Sequence, residues 1–191
     1  MAANMFKPVS IDTKRLRLRP LRQEDASVFF EVWSDPEAMR YFSFLPMQDI
    51  GQAQARVADK LQSLNDGSSV TCVIELADTG KVLGDCALFN GVAHSQRAEI
   101  GFCLGRKFWG NGYMVEAASA LIEHGFKNVG LRRIEADVDP RNLSSIQLLE
   151  RLGFRREGHL RERWIIGGEV MDTALYGLLR SDWLPNRNQA T

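Results

Sequence analysis

The residues best suited to chemistry stand together in the run Gly105-Arg106-Lys107-Phe108-Trp109-Gly110-Asn111-Gly112-Tyr113-Met114. The run joins a strand-like segment to a helix-like one. Backbone N–H groups at a helix N-terminus lack intrahelical partners, and the helix dipole favours an anion there. Gly110 and Gly112 let the backbone close around a phosphate without a Cβ in the way, and Arg106 and Lys107 bring positive charge. The loop reads as a diphosphate cradle. Two other readings stand beside it. A Gly-x-Gly step before a helix is commonly a tight turn and no more. A dinucleotide fingerprint would need a third glycine where Val115 stands. A nucleotide P-loop is excluded, because no Gly-Lys-Ser/Thr follows a glycine at the required distance.

A second constellation is Asp139-Pro140-Arg141-Asn142-Leu143-Ser144-Ser145, followed by Leu148-Leu149-Glu150-Arg151-Leu152-Gly153-Phe154. Asn142 and Ser145 are three apart at a helix start, so their side chains can face one space. Asn142 is equally able simply to cap that helix. Glu99 lies in Ala98-Glu99-Ile100-Gly101-Phe102, on the strand leading to the loop. A glutamate raised in pKa by burial can act as a general base near neutral pH; a solvated or ion-paired strand glutamate is the alternative. Cys103 is on the same strand, with no base partner in the local sequence, and is expected to pack in the core rather than act as a nucleophile. His94, His124 and His159 are scattered without ligand spacing, so no metal is expected.

These segments need elements to hold them. Lys14 to Arg19 alternates basic and apolar residues, as a half-exposed strand does, and Pro20 ends it. Asp25 is placed to cap a helix through Ala26, Phe29 and Trp33, and Asp35-Pro36 to open a second short helix. Ile50, Val57, Leu61 and Leu64 predict a helix over 49–65. Val70–Ala77 and Val82–Phe89 predict a hairpin across Asp78-Thr79-Gly80-Lys81. A strand follows over 97–104, then the loop, then a helix from Tyr113 to Val129 stopped by Gly130. A strand over 133–138, a helix ending at Gly153 and a hairpin of Phe154–Ile166 with Val170–Arg180 complete the chain. The order predicts a mixed α/β domain, largely antiparallel, with one parallel crossover between 97–104 and 133–138. Residues 1–12 read as a loose lead-in, 13–184 as one domain and 185–191 as a tail.

The chain has 191 residues, 45% of them hydrophobic and 25% charged, values of an ordinary globular domain that can bury a core without staples. Lys plus Arg and Asp plus Glu are each 24, so the net charge is zero and no nucleic-acid partner is expected. No stretch reaches the ~18 uninterrupted apolar residues of a membrane span, and no signal-peptide core opens the chain. Cys72, Cys86 and Cys103 lie in apolar runs and form no disulfide framework. A cytoplasmic location is expected, and exposed sheet edges would allow a homodimer.

The two constellations sit on consecutive strand–helix units joined by the parallel crossover, an arrangement that resembles the GNAT superfamily of coenzyme-A-dependent N-acetyltransferases. Lys107-Phe108-Trp109-Gly110-Asn111-Gly112 resembles its Gln/Arg-x-x-Gly-x-Gly/Ala loop, with lysine in the first place. Thr13-x-Arg15-Leu16-x-Leu18-Arg19, Trp33-x-Asp35-Pro36, Ala98-Glu99-Ile100-Gly101-Phe102, Asn142-x-x-Ser145, Gly153-Phe154 and Gly168-Glu169-x-x-Asp172 resemble the RimJ/RimL-type branch, named for ribosomal-protein N-terminal acetyltransferases. The resemblance implies a twisted sheet of about seven strands with one parallel pair splayed to hold acetyl-CoA. It implies cofactor contacts from Phe102, Cys103, Leu104, Lys107, Trp109, Gly110, Asn111, Gly112, Tyr113, Met114, Asn142 and Ser145. It implies Glu99 as base, Ser145 as the nearest hydroxyl donor, and Tyr41 and Trp164 as walls of the acceptor cleft. Many members carry an acidic tyrosine where this chain has Leu149. The expected acceptor is a protein or peptide N-terminal amine, with an aminoglycoside, polyamine or other small amine as the rival. A non-catalytic acyl-CoA sensor is the rival of another class.

Overall fold

A computed structural model of the chain describes residues 5–187, with side chains to Trp183. Eight strands form one sheet in the spatial order β1-β2-β3-β4-β5-β6-β8-β7. They are β1 (Ile11–Asp12), β2 (Leu16–Pro20), β3 (Val70–Leu76), β4 (Val82–Val92), β5 (Arg97–Leu104), β6 (Arg133–Val138), β7 (Arg155–Ile166) and β8 (Glu169–Leu179). Helices α1 (Ala26–Trp33) and α2 (Ile50–Asn65) cover one face; α3 (Tyr113–His124), α4 (Leu143–Arg151) and α5 (Arg180–Arg187) belong to the other. The alternation of strand residues explains the two layers. Ala98, Ile100 and Leu104 of β5 join Ala117, Leu121 and Ile122 of α3 in the larger core cluster. Cys103 points the other way and packs with Phe29, Trp33, Val57 and Val73.

Every neighbouring pair is antiparallel except β5 and β6. Their parallel ladder covers only Arg97↔Arg133, Ala98↔Ile134 and Glu99↔Glu135. Beyond Glu99 the strands part, while β5 continues to Leu104 alongside β4. The mixed sheet with one splayed parallel pair is therefore present, with one strand more than expected because β1 adds two residues at the edge.

Three local expectations are corrected. Residues 5–12 are not loose: Phe6 is buried in the larger core cluster, the N–H groups of Met5 and Phe6 both donate to the Gly67 carbonyl, and Ile11 pairs with Leu18. Asp25 does not cap α1. Its carboxylate is buried and takes both terminal nitrogens of Arg19, at 2.6 and 2.8 Å, and the Arg22 N–H. Asp35-Pro36 opens no helix; Asp35 accepts the N–H of Glu37 two residues on, closing a turn, and Met39, Phe42 and Phe44 fold inward from irregular chain. The long helix runs from Tyr113 to Val129 as expected, α-helical to His124 and π-helical over Gly125–Val129, and Gly130 stops it at φ +83°. Elsewhere the periodicity held: Asp49 caps α2 through the Gln52 N–H, and β5 and β6 have the expected bounds. Of the expected tail, residues 185–187 finish α5, and 188–191 lie outside the described residues, as do 1–4 of the lead-in. Among the described residues no helix is long and apolar enough to cross a membrane.

Candidate active site

The phosphate-type loop is made by backbone. Gly110 and Gly112 have φ of +76° and +72°, a region closed to most L-residues, so only glycine follows this path without strain. A Cβ added at Gly110 would meet no atom within 4 Å, so the loop presents an open hollow beside the first N–H groups of α3. Side chains in the loop brace it. Trp109 Nε1 donates to the Leu104 carbonyl at 2.9 Å, and Asn111 Nδ2 donates to the carbonyls of Phe108 and Trp109. Met114 is buried beneath the first turn of α3. Lys107 pairs with Glu31 at 3.6 Å and Arg106 with Asp35 at 3.1 Å, so neither expected cation is aimed at the hollow. The cation set against the loop is Arg15 instead. Its guanidinium donates to the Asn111 carbonyl at 3.0 Å, pairs with Glu116 at 2.7 Å and lies 4.7 Å from the Tyr113 ring centroid. Glu116, held also by Thr13, is thereby kept below its ordinary pKa although burial works against this. The hollow, its free amides and Arg15 suit a diphosphate.

β5 leads back from this loop to a cavity of about 650 Å³ at the place where β5 and β6 part. Glu99, Phe102, Cys103, Asn142, Ser145, Tyr41 and Trp164 all line it. Lys107, Trp109 and residues 110–114 do not; they form the separate loop site at the far end of the same strand. Leu104 is buried in the core and contributes its carbonyl to Trp109. Asn142 caps α4, accepting the Ser145 N–H at 3.1 Å, which is the simpler of its two expected roles. Both still border the cavity, with Leu149 buried behind them.

Glu99 is half-buried on β5. Burial raises its pKa, and the charges of Asp137 and Glu135 add to the rise; a hydrogen bond from Asn90 and the charge of Arg97 oppose it. Asn90 Nδ2 donates to Glu99 Oε1 at 3.1 Å. It can do so because β4 bulges between Phe89 and Val92, and Asn90 sits in the left-handed region at φ +50°. The sequence carried a signal for this in the Asn90-Gly91 dipeptide inside a strand, which marks an irregularity. Across the gap Asp137 accepts hydrogen bonds from Thr173 Oγ1 and Trp164 Nε1, the latter at 3.3 Å. Neither Asn90 nor Asp137 was found from the sequence. Burial pushes the Cys103 thiol far above its ordinary pKa, which works against a thiolate there.

The outer wall is assembled from three distant segments. Tyr41, Phe42 and Phe44 come from the irregular chain after α1, Arg56, Asp59 and Lys60 from α2, and Trp164, Ile166, Met171 and Asp172 from the β7–β8 hairpin. Arg141 ties the wall together by pairing with Asp139 and Glu169 at 2.6 Å each, 5.9 Å from the Tyr41 ring centroid.

Residues 15–155 match the model of the acetyltransferase (GNAT) domain. The chain is 40% identical over 176 residues to the uncharacterized N-acetyltransferase p20 of Bacillus licheniformis, covering 90% of this chain and 96% of that protein. It is 29% identical over 187 residues to the [ribosomal protein uS5]-alanine N-acetyltransferase of Escherichia coli K12, covering 94% and 95%. The fold superposes on Mycobacterium smegmatis RimJ in complex with CoA-disulfide with a TM-score of 0.83 at 23% identity, over 92% and 91% of the two chains. With a splayed strand pair, an open glycine hollow at a helix N-terminus and a family model covering most of its length, this chain belongs to the GNAT acetyltransferases and is an acetyl-CoA-dependent N-acetyltransferase.

Proposed function

We propose that this enzyme acetylates the N-terminal α-amine of a protein or peptide, with Glu99 as general base and Ser145 as the hydroxyl nearest the departing sulfur. Acetyl-CoA supplies an activated acetyl thioester. The residues that would hold it are the 110–114 backbone with Arg15 at the diphosphate and the Asn142–Ser145 turn further in. Glu99 accepts a proton from the incoming ammonium, directly or through water, because only the neutral amine has a lone pair to attack with. Burial raises its pKa and so strengthens it as a base, and Asn90 holds the acceptor oxygen in place. Ser145 Oγ offers a hydrogen bond to a developing thiolate.

The observation that carries this reading is that a single cavity brings Glu99 from β5 and Ser145 from α4 together at the strand gap and runs out to an aromatic wall. A protein N-terminus fits a cavity with exposed lining residues such as Ser43 and Trp164, and a relative of 29% identity is named for the alanine of a ribosomal protein. A small polycationic amine is the second reading. One observation favours it: Glu99, Asp137, Asp139 and Asp172 all line the cavity. A screen of peptides with varied N-termini, aminoglycosides and polyamines, following thiol released from acetyl-CoA, tests both. Transfer to peptide N-termini is the expected result. Transfer only to polyamines selects the second reading, and tight acetyl-CoA binding with no transfer to any amine selects a sensor.

A further inference from the structure

Arg56 and Lys60 are one turn apart on α2 and both line the cavity. Lys60 has a partner: its ammonium lies 3.2 Å from Asp85 Oδ2 and 3.4 Å from Thr71 Oγ1. Arg56 has none. Among the described residues it makes no ion pair within 4.0 Å and no side-chain hydrogen bond, and its Nε is buried and unpartnered. What holds it is aromatic: its guanidinium carbon lies 3.8 Å from the Phe44 ring centroid and 5.9 Å from that of Trp33. Asp85 and Asp59 are the carboxylates that act on it, both from beyond contact, and burial outweighs them, lowering its pKa. A buried donor without an acceptor costs free energy, and the half-buried guanidinium keeps its terminal nitrogens open to one.

The place of that acceptor follows from the sheet. On β4 and β5 Asp85 pairs in register with Cys103, and Phe89 with Glu99. The Lys60–Asp85 pair therefore marks one end of the cavity floor, and Glu99 lies four residues along β5, about 13 Å at ~3.3 Å per residue. Arg56 lines the same cavity, packed against Phe44, with Asp85 the carboxylate that acts on it most strongly. A molecule whose amine lies at Glu99 shares one cavity with Arg56.

We propose that Arg56 is the acceptor-anchoring residue: it binds an oxyanion, carboxylate or phosphate, that the acceptor carries several bonds away from its reacting amine. The acceptor is then an amine with an anionic tail, either a peptide with an acidic side chain near its N-terminus or a small molecule bearing an amine and a phosphate. This rests on the proposed placement of the amine at Glu99. Lys60 and Asp85 form an ion pair beside the anchor, Phe44 lies 3.8 Å from the guanidinium carbon, and a guanidinium's paired N–H groups suit a two-oxygen acceptor.

Two measurements test it together. In the first, acetyl transfer is compared across matched acceptors: peptides with Glu or Gln at the second or third residue, and aminoalkyl phosphates against the amino alcohols of the same length. The wild type should favour the anionic member of at least one series by about tenfold or more in kcat/KM, the usual worth of a charge-assisted hydrogen bond. The series showing the preference identifies the source of the oxyanion. Arg56→Gln should bring that ratio to within about twofold of one, and Arg56→Lys should keep part of it. A ratio near one in the wild type, or a ratio unchanged in Arg56→Gln, overturns the proposal. The second measurement uses only wild-type protein. Glutarate and inorganic phosphate are tested for saturable protection of Arg56 against phenylglyoxal, read by peptide mass. Absence of protection by both overturns the proposal. Protection of Arg56 in a protein that acetylates no amine would leave the oxyanion site standing and remove the proposed function instead.

Discussion

On the proposed reading the 105–114 loop and the outer wall of the cavity serve opposite ends of one reaction, and they are built by different means. The loop is local. Ten consecutive residues form it, and its recognition surface is backbone N–H shaped by two left-handed glycines. Its side chains are spent on bracing, as Trp109 and Asn111 show. The wall is distributed. Tyr41, Arg56 and Trp164 are brought together by folding alone, and the groups proposed to recognise the acceptor there are side chains. A backbone site accepts many sequences as long as its turn survives, whereas a side-chain site changes its ligand with each substitution. That suits an enzyme family holding one donor and diversifying its acceptors.

The difference can be broken from either side. The largest effect is expected at the junction: Glu99→Gln keeps the shape of the carboxylate and removes its basicity, and should lower kcat by roughly 10²–10⁴-fold. Titration calorimetry should show unchanged acetyl-CoA affinity; a parallel loss of affinity would make Glu99 structural. Gly112→Asp attacks the loop alone. It puts a Cβ at a positive-φ position and a negative charge at the N-terminus of α3, and acetyl-CoA affinity should fall about 100-fold or more. Wild-type affinity in that variant would remove the loop from the donor site. The smallest effect is at Asn90. Its N–H favours ionised Glu99, so Asn90→Ala should raise the Glu99 pKa further. Activity needs the ionised form and is lost as pH falls through that pKa. The acidic limb of kcat/KM should therefore move to higher pH, with some thermal stability lost because alanine tolerates the left-handed backbone at φ +50° less well than asparagine. A limb that stays put or moves down separates Asn90 from the base.

Much of the donor end was legible because its information is contiguous. Strand periodicity gave β5 and β6 to the residue, and the Gly110-Asn111-Gly112 step before an apolar helix carried its own physical reason. The charges around the loop were not legible: Arg106 and Lys107 are nearest in sequence, yet Asp35 and Glu31 take them up, and Arg15 fills their place from about a hundred residues away. The 34–44 segment failed for another reason. Asp35-Pro36 is a good helix start, but the chain beyond Pro36 gains more by turning Met39, Phe42 and Phe44 into the α1–α2 core than by closing helical hydrogen bonds. Asn142 met its expectation at the simpler level, as a cap. Arg56 gave no sign at all, because an arginine on the polar side of an amphipathic helix is ordinary until its neighbours Phe44 and Trp33 are seen to enclose it.

The three-pair ladder between β5 and β6 bears on motion as well as on binding. In a continuous sheet the central strands exchange their amide hydrogens last, since both edges are bonded. Here β5 is central by position, yet from Ile100 to Leu104 it is bonded through β4 only, and the groups on its other edge face the gap. Those amides should exchange in the free protein at rates normally seen at a sheet's margin, while β3 and the first half of β4, bonded on both sides, stay slow. The middle of the sheet thus carries a frayed edge indoors, and a ligand bound in the gap would make the strand interior.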